Sequence, residues 1–205
     1  IADWRNLLLG VTVFFLARVQ ASLYFMNNIA DETIFNRARR QVLINAVPFV
    51  VLFLIFVGVT LTADGYELNP VNGEVFVRKY KYFFNLIEMP WVAVMFLIGV
   101  VSVLYAIIRA AFSKTWICGI WYSGIGTVLV VLSLFFLAGY NNTPYYPSAV
   151  DLQSSLTIYN SSSSLFTLEV MTVVSFLVPF VLAYIVYAWR AMDKKPITEQ
   201  EMESG

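Results

Sequence analysis

The sequence predicts an all-α protein, a polytopic transmembrane bundle of about five membrane-spanning helices. Of its 205 residues, 60% are hydrophobic and only 13% are charged, whereas a soluble domain carries roughly 25% charged residues. Charged residues are also separated by long uncharged intervals. About 20 apolar residues at 1.5 Å rise cross a hydrocarbon core of roughly 30 Å, and a charge inside that core costs several kcal/mol. The intervals therefore mark the spans.

Four intervals define four spans in chain order. There are 23 uncharged residues between Arg40 and Asp64, 20 between Glu88 and Arg109, 36 between Lys114 and Asp151, and 20 between Glu169 and Arg190. A further span, interrupted by Arg18, precedes them. We predict spans over 4–26, 42–63, 86–108, 116–138 and 167–189, within a membrane domain over 1–190 that is followed by a cytoplasmic tail over 191–205.

A secretory signal peptide is the alternative for the first segment. The segment has no initiator Met and no A-x-A cleavage pattern, and Arg18 lies where the apolar core should be. We therefore interpret it as a span. Because the chain begins Ile-Ala-Asp at the edge of a helix, we also expect it to be the later part of a longer or processed polypeptide.

Five spans place the termini on opposite sides of the membrane, and short cytoplasmic loops are enriched in Lys and Arg. With the C-terminus inside, eight basic residues face the cytoplasm and four face outside. The opposite orientation inverts this ratio. We predict an outside N-terminus and a cytoplasmic C-terminus. This orientation places the basic segment Arg78-Lys79-Tyr80-Lys81 outside, against the usual preference. We interpret that segment as an interfacial basic-aromatic anchor.

The connections between spans carry their own signals. Residues 27–40 mix acidic, apolar and arginine residues, which predicts a short amphipathic segment at the headgroups. Asn69-Pro70 and Asn72-Gly73 are turn signals within 64–84 and favour a small exposed hairpin. The aromatic-rich connection over 139–165 is expected to pack over the outer face.

The composition also excludes classes of function. Thirteen Lys and Arg residues balance thirteen Asp and Glu residues, so no basic field favours nucleic acid. The single cysteine, Cys118, excludes an internal disulfide framework or a cysteine cluster for metal. The sequence has no histidine, the common haem and zinc ligand and the common general base. We expect neither a metal site nor a catalytic residue in this chain.

Arg18 is the first candidate site residue because it interrupts a span. It lies eight residues, or about 12 Å, before Met26 at the inner end of its helix. Snorkelling to the inner headgroups or a bond to a partner carbonyl is the structural interpretation. Binding an anion, a quinone oxygen or a carboxylate in a proton path is the functional one. We also expect that a counter-charge for Arg18 belongs to another chain.

Glu88 and Glu169 are the other two candidates. We place both in the first turn of a helix that begins at the outer surface. Asn85-x-x-Glu88 matches a capping box, and Ser163 or Ser164 is positioned to cap the last helix ahead of Glu169. Capping is the structural interpretation of both carboxylates, and a proton-carrying or quinol-facing role is the functional alternative.

Helix packing has one clear sequence signal. Gly119, Ser123 and Gly126-Thr127 form a small-residue face suited to close helix approach. Pro48 and Pro179 lie within spans, where proline frees a carbonyl and kinks a helix. We interpret both prolines as packing features.

Several motifs occur together in the last third of the chain. The stretch Gly124–Gly139 is followed by Tyr145-Tyr-Pro-Ser148, Ser155-Leu-Thr157, Ser161–Ser164 and Thr167-Leu-Glu-Val-Met171, and then by Pro179 and Ala183–Arg190. This order resembles the C-terminal end of subunit II of cytochrome bd-type quinol oxidases, best over 124–190 and more weakly over 1–123.

The resemblance implies a haem-free subunit in the bacterial cytoplasmic (inner) membrane. It implies as partner a haem-bearing subunit I, which carries haem b, haem d and the quinol-oxidising loop. In that family the complex oxidises quinol from the quinone pool and reduces dioxygen to water, so we expect this chain to be an enzyme subunit that is not itself catalytic. Membrane lipids, and a bound quinone, are further expected contacts. The resemblance implies that the five spans correspond to the second half of a larger family subunit. The family's acidic proton-path candidate lies in the first half, so we assign no proton channel to this chain.

Two other classes of protein remain as alternatives. A fragment of a small membrane transporter or permease is the first, although the chain shows no inverted repeat and no matching pair of interrupted spans. A stand-alone membrane enzyme is the second, although no nucleophile or metal constellation supports it.

Overall fold

A computed structural model describes residues 3–113 and 115–192, so most of the predicted tail over 191–205 lies outside the described residues. Eight helices and one hairpin are present in this part of the chain. In order they are α1 (Trp4–Asn28), α2 (Glu32–Thr62), β1 (Gly65–Leu68), β2 (Val75–Arg78), α3 (Lys81–Glu88), α4 (Pro90–Phe112), α5 (Gly119–Gly139), α6 (Ile158–Ser161), α7 (Leu165–Ser175) and α8 (Val178–Met192). A 3₁₀ turn at Leu152–Ser154 precedes α6.

Five apolar segments are long enough to cross a membrane, which confirms the predicted all-α bundle of spans. They are α1, α2, α4, α5 and the combined α7–α8 segment Leu165–Met192. Helices α1, α2, α4 and α5 pack together, chiefly as the pairs α1–α2 and α4–α5. We call the end of this bundle that carries β1 and β2 the hairpin end, and the opposite end, where residues 29–31 join α1 to α2, the turn end.

The helix that carries the second span begins ten residues before the predicted start of that span at residue 42. Helix α2 begins at Glu32, because the Asp31 carboxylate accepts a hydrogen bond from the Ile34 N–H and caps it there. The amphipathic segment expected over 27–40 therefore continues into the span without a break, and Pro48 does not end the helix. Charge marks where a helix enters hydrocarbon, and not where it begins.

The third span also differs at its start, which was predicted at residue 86. The chain forms the separate helix α3, leaves helical geometry at Met89, and begins α4 at Pro90. Proline suits the first position of a helix because its missing N–H has no intrahelical partner there. The interruption separates a surface helix from the span.

The last span is interrupted at Phe176 and Leu177, between α7 and α8. Pro179 has no N–H to donate to the carbonyl four residues earlier, which accounts for the break. No residue of α7 or α8 is buried. This span therefore lies outside the core that the other four helices share.

The contact between α4 and α5 confirms the predicted small-residue face. A Cβ added at Gly126 would lie 2.7 Å from the Gly99 carbonyl oxygen, and one added at Gly99 would lie 2.8 Å from that of Gly126. Only glycine permits this backbone approach. On the α1 side, the Gln20 amide donates a 2.8 Å hydrogen bond to the Thr127 hydroxyl, which links α1 to α5.

At the hairpin end, β1 and β2 pair antiparallel with Glu67 opposite Phe76, which confirms the predicted hairpin. The connection after α5 packs against it, as expected for 139–165. Gln153 both donates to and accepts from the Val75 backbone, at 3.0 and 2.9 Å. The Leu68 N–H donates to the Asn142 carbonyl at 2.7 Å. The hairpin is thus fastened to a segment about 75 residues further along the chain.

Candidate functional site

Ion pairs and buried amides form one cluster at the hairpin end. Its side chains come from the hairpin, from α3 and from the segment that follows α5. We call this set the polar cluster, and it consists of Glu67, Arg78, Lys81, Asn85, Glu88, Asn141 and Thr143.

Lys81 lies at the centre of the polar cluster and is fully buried. Its Nζ lies 3.1 Å from Glu67 Oε1 and donates a 3.0 Å hydrogen bond to the Asn141 carbonyl. Gly65 makes room for it, since a Cβ at that position would lie 2.7 Å from Lys81 Cβ. A buried ammonium requires such partners, because an unpaired one is costly away from water.

Arg78 joins the two carboxylates of the cluster. Its Nη1 donates to both oxygens of Glu67 at 3.0 and 3.1 Å, and its Nη2 donates to Glu88 at 3.1 Å. The hydrogen bond to Glu67 raises the pKa of Arg78; partial burial opposes this shift, and the charge of Glu67 and the contact with Glu88 add to it. The anchor interpretation is wrong for Lys81, which is fully buried, whereas Arg78 remains partly exposed while it pairs with the two carboxylates.

Asn85 is the buried amide of the cluster. It donates to the Leu137 carbonyl at 3.0 Å and to the Thr143 hydroxyl at 2.8 Å, and it accepts from the Asn141 amide at 3.0 Å. These bonds tie α3 to the end of α5. The predicted capping box is wrong, because Asn85 lies inside α3 and the helix it was expected to cap begins only at Pro90.

Glu88 ends α3 and accepts hydrogen bonds from Arg78 and from the Asn141 amide. Partial burial acts to raise its pKa, but these two hydrogen bonds and the charges of Arg78 and Lys81 outweigh burial and lower it. The carboxylate is therefore ionised at neutral pH. It serves as a counter-charge in the cluster, and not as a cap in the first turn of a span.

The other two predicted site residues lie apart from the cluster. Arg18 is exposed on α1, with its Cζ 5.7 Å from the centre of the Phe14 ring. Glu169 is exposed in the second turn of α7, beyond the first turn where it was expected. The Ser164 hydroxyl does cap α7, accepting from the Thr167 N–H, so the cap was predicted correctly and the position of the carboxylate was not.

Glu67, Lys81 and Asn141 were not predicted from the sequence as site residues. A signal for the first of these was present. The predicted hairpin brings the segments of Glu67 and Arg78 side by side, and in the observed register, with a loop over 69–74, Glu67 pairs with Phe76 and is the diagonal neighbour of Arg78 on one face. Nothing local indicates Lys81, whose partner Asn141 is 60 residues away.

The polar cluster is an ion-pair network with a structural role. Two carboxylates face two cations, and all four groups are bonded. No group of three or more His, Cys, Asp or Glu suited to a metal ion occurs within residues 3–113 and 115–192. The arrangement holds the hairpin, α3 and the segment after α5 together. Both of its carboxylates and both of its cations are engaged in ion pairs.

A cavity of about 110 Å³ lies among α1, α2, α4 and α5. Its lining is hydrocarbon apart from Thr12 and Thr127. Both hydroxyls donate to carbonyls four residues earlier in their own helices. The cavity therefore presents apolar surface with no free polar group.

Comparison with known proteins agrees with this architecture. The family model described as cytochrome bd terminal oxidase subunit II matches residues 1–192. A probable cytochrome oxidase subunit 2 of Haemophilus influenzae is 30% identical over 176 residues, covering 78% of this chain and 44% of that protein. The cytochrome bd-I ubiquinol oxidase subunit 2 of Escherichia coli K12 is 29% identical over 211 aligned positions, covering 97% of this chain and 54% of that protein. The chain spans about half the length of these relatives.

Five apolar spans, a four-helix core and the polar cluster at one end define a multi-pass helical membrane protein. The family match covers every residue that the structure describes. The chain belongs to the cytochrome bd terminal oxidase subunit II family, and with its five spans this indicates a protein of the inner membrane.

Proposed function

We propose that this chain is the haem-free structural subunit of a bd-type quinol:oxygen oxidoreductase. It supports a haem-bearing partner subunit, which oxidises quinol and reduces dioxygen to water. The observation that carries the proposal is the family match over residues 1–192 in a sequence without histidine.

The lack of histidine and the separation of the buried methionines support the assignment of the haems to the partner. Haem iron is held by His, Met, Cys or Tyr axial ligands, and the sequence has no histidine. The two buried methionines of the described residues, Met26 and Met89, belong to separate packing clusters, so they do not face each other across one site. We assign haem b and haem d to the partner and derive no redox step for this chain.

The polar cluster supports a structural role. It fastens the hairpin and the loop after α5 to α3, so that the hairpin end keeps one shape. A rigid surface lowers the ordering cost of association with a partner. The exposed span Leu165–Met192, with no buried residue, leaves further apolar surface for lipid or partner.

The charge distribution supports an orientation with the turn end in the cytoplasm. Arg37, Arg39 and Arg40 lie near that end on α2, and Arg109 lies near the end of α4 on the same side. Basic residues favour the cytoplasmic side. The N-terminus is then outside and the C-terminus is cytoplasmic.

The test is purification of the tagged protein from its native host in mild detergent. We expect a haem-bearing partner identified by mass spectrometry and b- and d-type bands in a reduced-minus-oxidised spectrum. The control is a tagged, unrelated multi-pass protein carried through the same purification. A colourless preparation without such a partner would contradict the proposal and favour the transporter alternative.

A further inference from the structure

A groove between α1 and α2 near the turn end is not used by the polar cluster or by the helix core. Its volume is about 360 Å³, and Phe25, Ala21 and Ile34 contribute apolar walls. Arg18 and Gln41 contribute polar ones, with Arg37 further toward the turn. It is therefore an amphipathic groove between the two helices.

The groove carries positive charge that the rest of the molecule leaves uncompensated. Arg18 and Arg37 are both exposed. Within residues 3–113 and 115–192 all ion pairs involve Arg78 or Lys81, at the hairpin end, and the Arg18 guanidinium lies over the Phe14 ring. Two guanidinium groups in one groove, without a carboxylate to face them, favour an anion.

A hydrogen-bond donor accompanies the two guanidinium groups. The buried Asn45 amide donates to the Gln41 carbonyl at 2.7 Å and to Gln41 Oε1 at 3.2 Å. Gln41 lines the groove, and because its oxygen is engaged in this way, its amide N–H₂ group is the part left to donate to a ligand. Guanidinium and amide donors together suit the oxygens of a phosphate.

The depth of the groove indicates where that phosphate comes from. Helical rise places Arg18 about 15 Å, Arg40 about 12 Å and Arg37 about 7.5 Å from the turn end. Beyond Arg40, α2 continues for 22 uncharged residues to Thr62, enough for the whole hydrocarbon core. The boundary of the hydrocarbon therefore passes close to Arg40, and Arg18 lies only about 3 Å further in, within side-chain reach of the headgroup layer.

We propose that this groove binds the phosphate of an anionic phospholipid, held by Arg18, Arg37 and Gln41. Basic pockets between spans on the cytoplasmic side bind anionic headgroups, and the proposed orientation puts the turn end on that side. A lipid places its phosphate at this depth, beside the guanidinium groups, while its alkyl chains extend past Arg18 into the hydrocarbon core. The inference does not depend on the oxidase function.

The test measures lipid binding by native mass spectrometry of the protein purified in mild detergent with any partners it retains. Phosphatidylglycerol and phosphatidylcholine are the probes. We expect the wild type to bind phosphatidylglycerol preferentially. At about 1 kcal/mol per basic residue, Arg18→Gln weakens that binding about fivefold, and Arg18→Gln with Arg37→Gln weakens it about thirtyfold.

The matched control is Arg40→Gln, since Arg40 is also exposed on α2 near the same depth but does not line the groove. Binding to this variant is expected to stay within about twofold of the wild type. The pair Arg18→Lys with Arg37→Lys keeps the charge and is expected to retain most binding, which separates loss of the site from loss of folding. Arg40→Gln weakening binding as much as Arg18→Gln would overturn the site in favour of a diffuse basic surface.

Inorganic phosphate distinguishes the two sources of the anion. We expect phosphate alone to compete weakly, because it lacks the alkyl chains that anchor a lipid in the hydrocarbon core. If phosphate displaces the lipid at equal concentration, the groove is a free-phosphate site and the lipid assignment is wrong. An absence of preference for phosphatidylglycerol over phosphatidylcholine in the wild type would likewise overturn it.

Discussion

Replacing Lys81 by methionine removes the central cation of the polar cluster while keeping a side chain of similar length. The substitution deletes the ion pair with Glu67 and the 3.0 Å hydrogen bond to the Asn141 carbonyl. A hydrogen bond from a charged group contributes about 1.5–3 kcal/mol. Because Lys81 is fully buried, no water replaces it at that carbonyl.

The cost stays below the 3–5 kcal/mol of a fully broken buried pair, because Glu67 retains both hydrogen bonds from Arg78. We therefore expect Lys81→Met to destabilise the protein by about 2–3 kcal/mol. For a chain of this size each kcal/mol moves the Tm by about 2–4 °C, so the Tm falls by about 4–12 °C. The assay is thermal unfolding of the purified protein in one detergent at one scan rate.

Lys79→Met is the matched control, because Lys79 is exposed and makes no ion pair among residues 3–113 and 115–192. It loses the same charge and gains the same side chain, and we expect its Tm to change by no more than about 2 °C. Equal Tm shifts for the two variants would refute the inference that burial and pairing at Lys81 hold the hairpin end together. A double variant with Glu67→Gln checks the pairing, since its cost should differ from the sum of the single costs.

Other substitutions test other parts of the molecule. Glu88 has a lowered pKa, so its stabilising effect is complete above the usual value of 4.5 and is lost as the pH falls through the lower folded-state pKa. Glu88→Gln should therefore flatten the acid side of the curve of stability against pH. An unchanged acid side would argue against the role of Glu88 as a counter-charge. Gly126→Ala should destabilise the α4–α5 pair by about 1–3 kcal/mol in thermal unfolding, since its Cβ would meet the Gly99 carbonyl at 2.7 Å, whereas Gly124→Ala, with nothing within 4 Å, should be near neutral. If the complex proposed above forms, Glu169→Gln should leave its oxygen consumption nearly intact, and a large loss would place Glu169 in a proton or quinol path.

Many apolar side chains of the bundle are exposed because its surroundings are lipid. In lipid, apolar side chains gain little by turning inward, so helix contacts depend on close packing and on polar bonds between helices. The Gly99–Gly126 approach and the Gln20–Thr127 hydrogen bond are contacts of this kind. The span α7–α8 has no buried residue and relies on the membrane or on a partner.

The spans, the hairpin and the glycine contact were predictable from the sequence, because each depends on local properties. Desolvation of charge decides how far a helix runs through hydrocarbon, the turn signals at Asn69-Pro70 and Asn72-Gly73 locate the hairpin, and only glycine permits the α4–α5 approach. The family was predictable as well, from the order of motifs over 124–190, and the match over 1–192 confirmed it.

The polar cluster was decided by the tertiary structure. The sequence predicted Lys81 to be part of an anchor and Asn85 to be a helix cap. Instead, Lys81 bonds to a residue 60 positions away and Asn85 to one 52 positions away. Glu88 is a counter-charge because Arg78 and Asn141 reach it. A residue's own sequence neighbourhood sets whether it fits a helix or a strand. Which polar groups are desolvated together, and so must pair, depends on the path that brings distant segments to one end of the bundle.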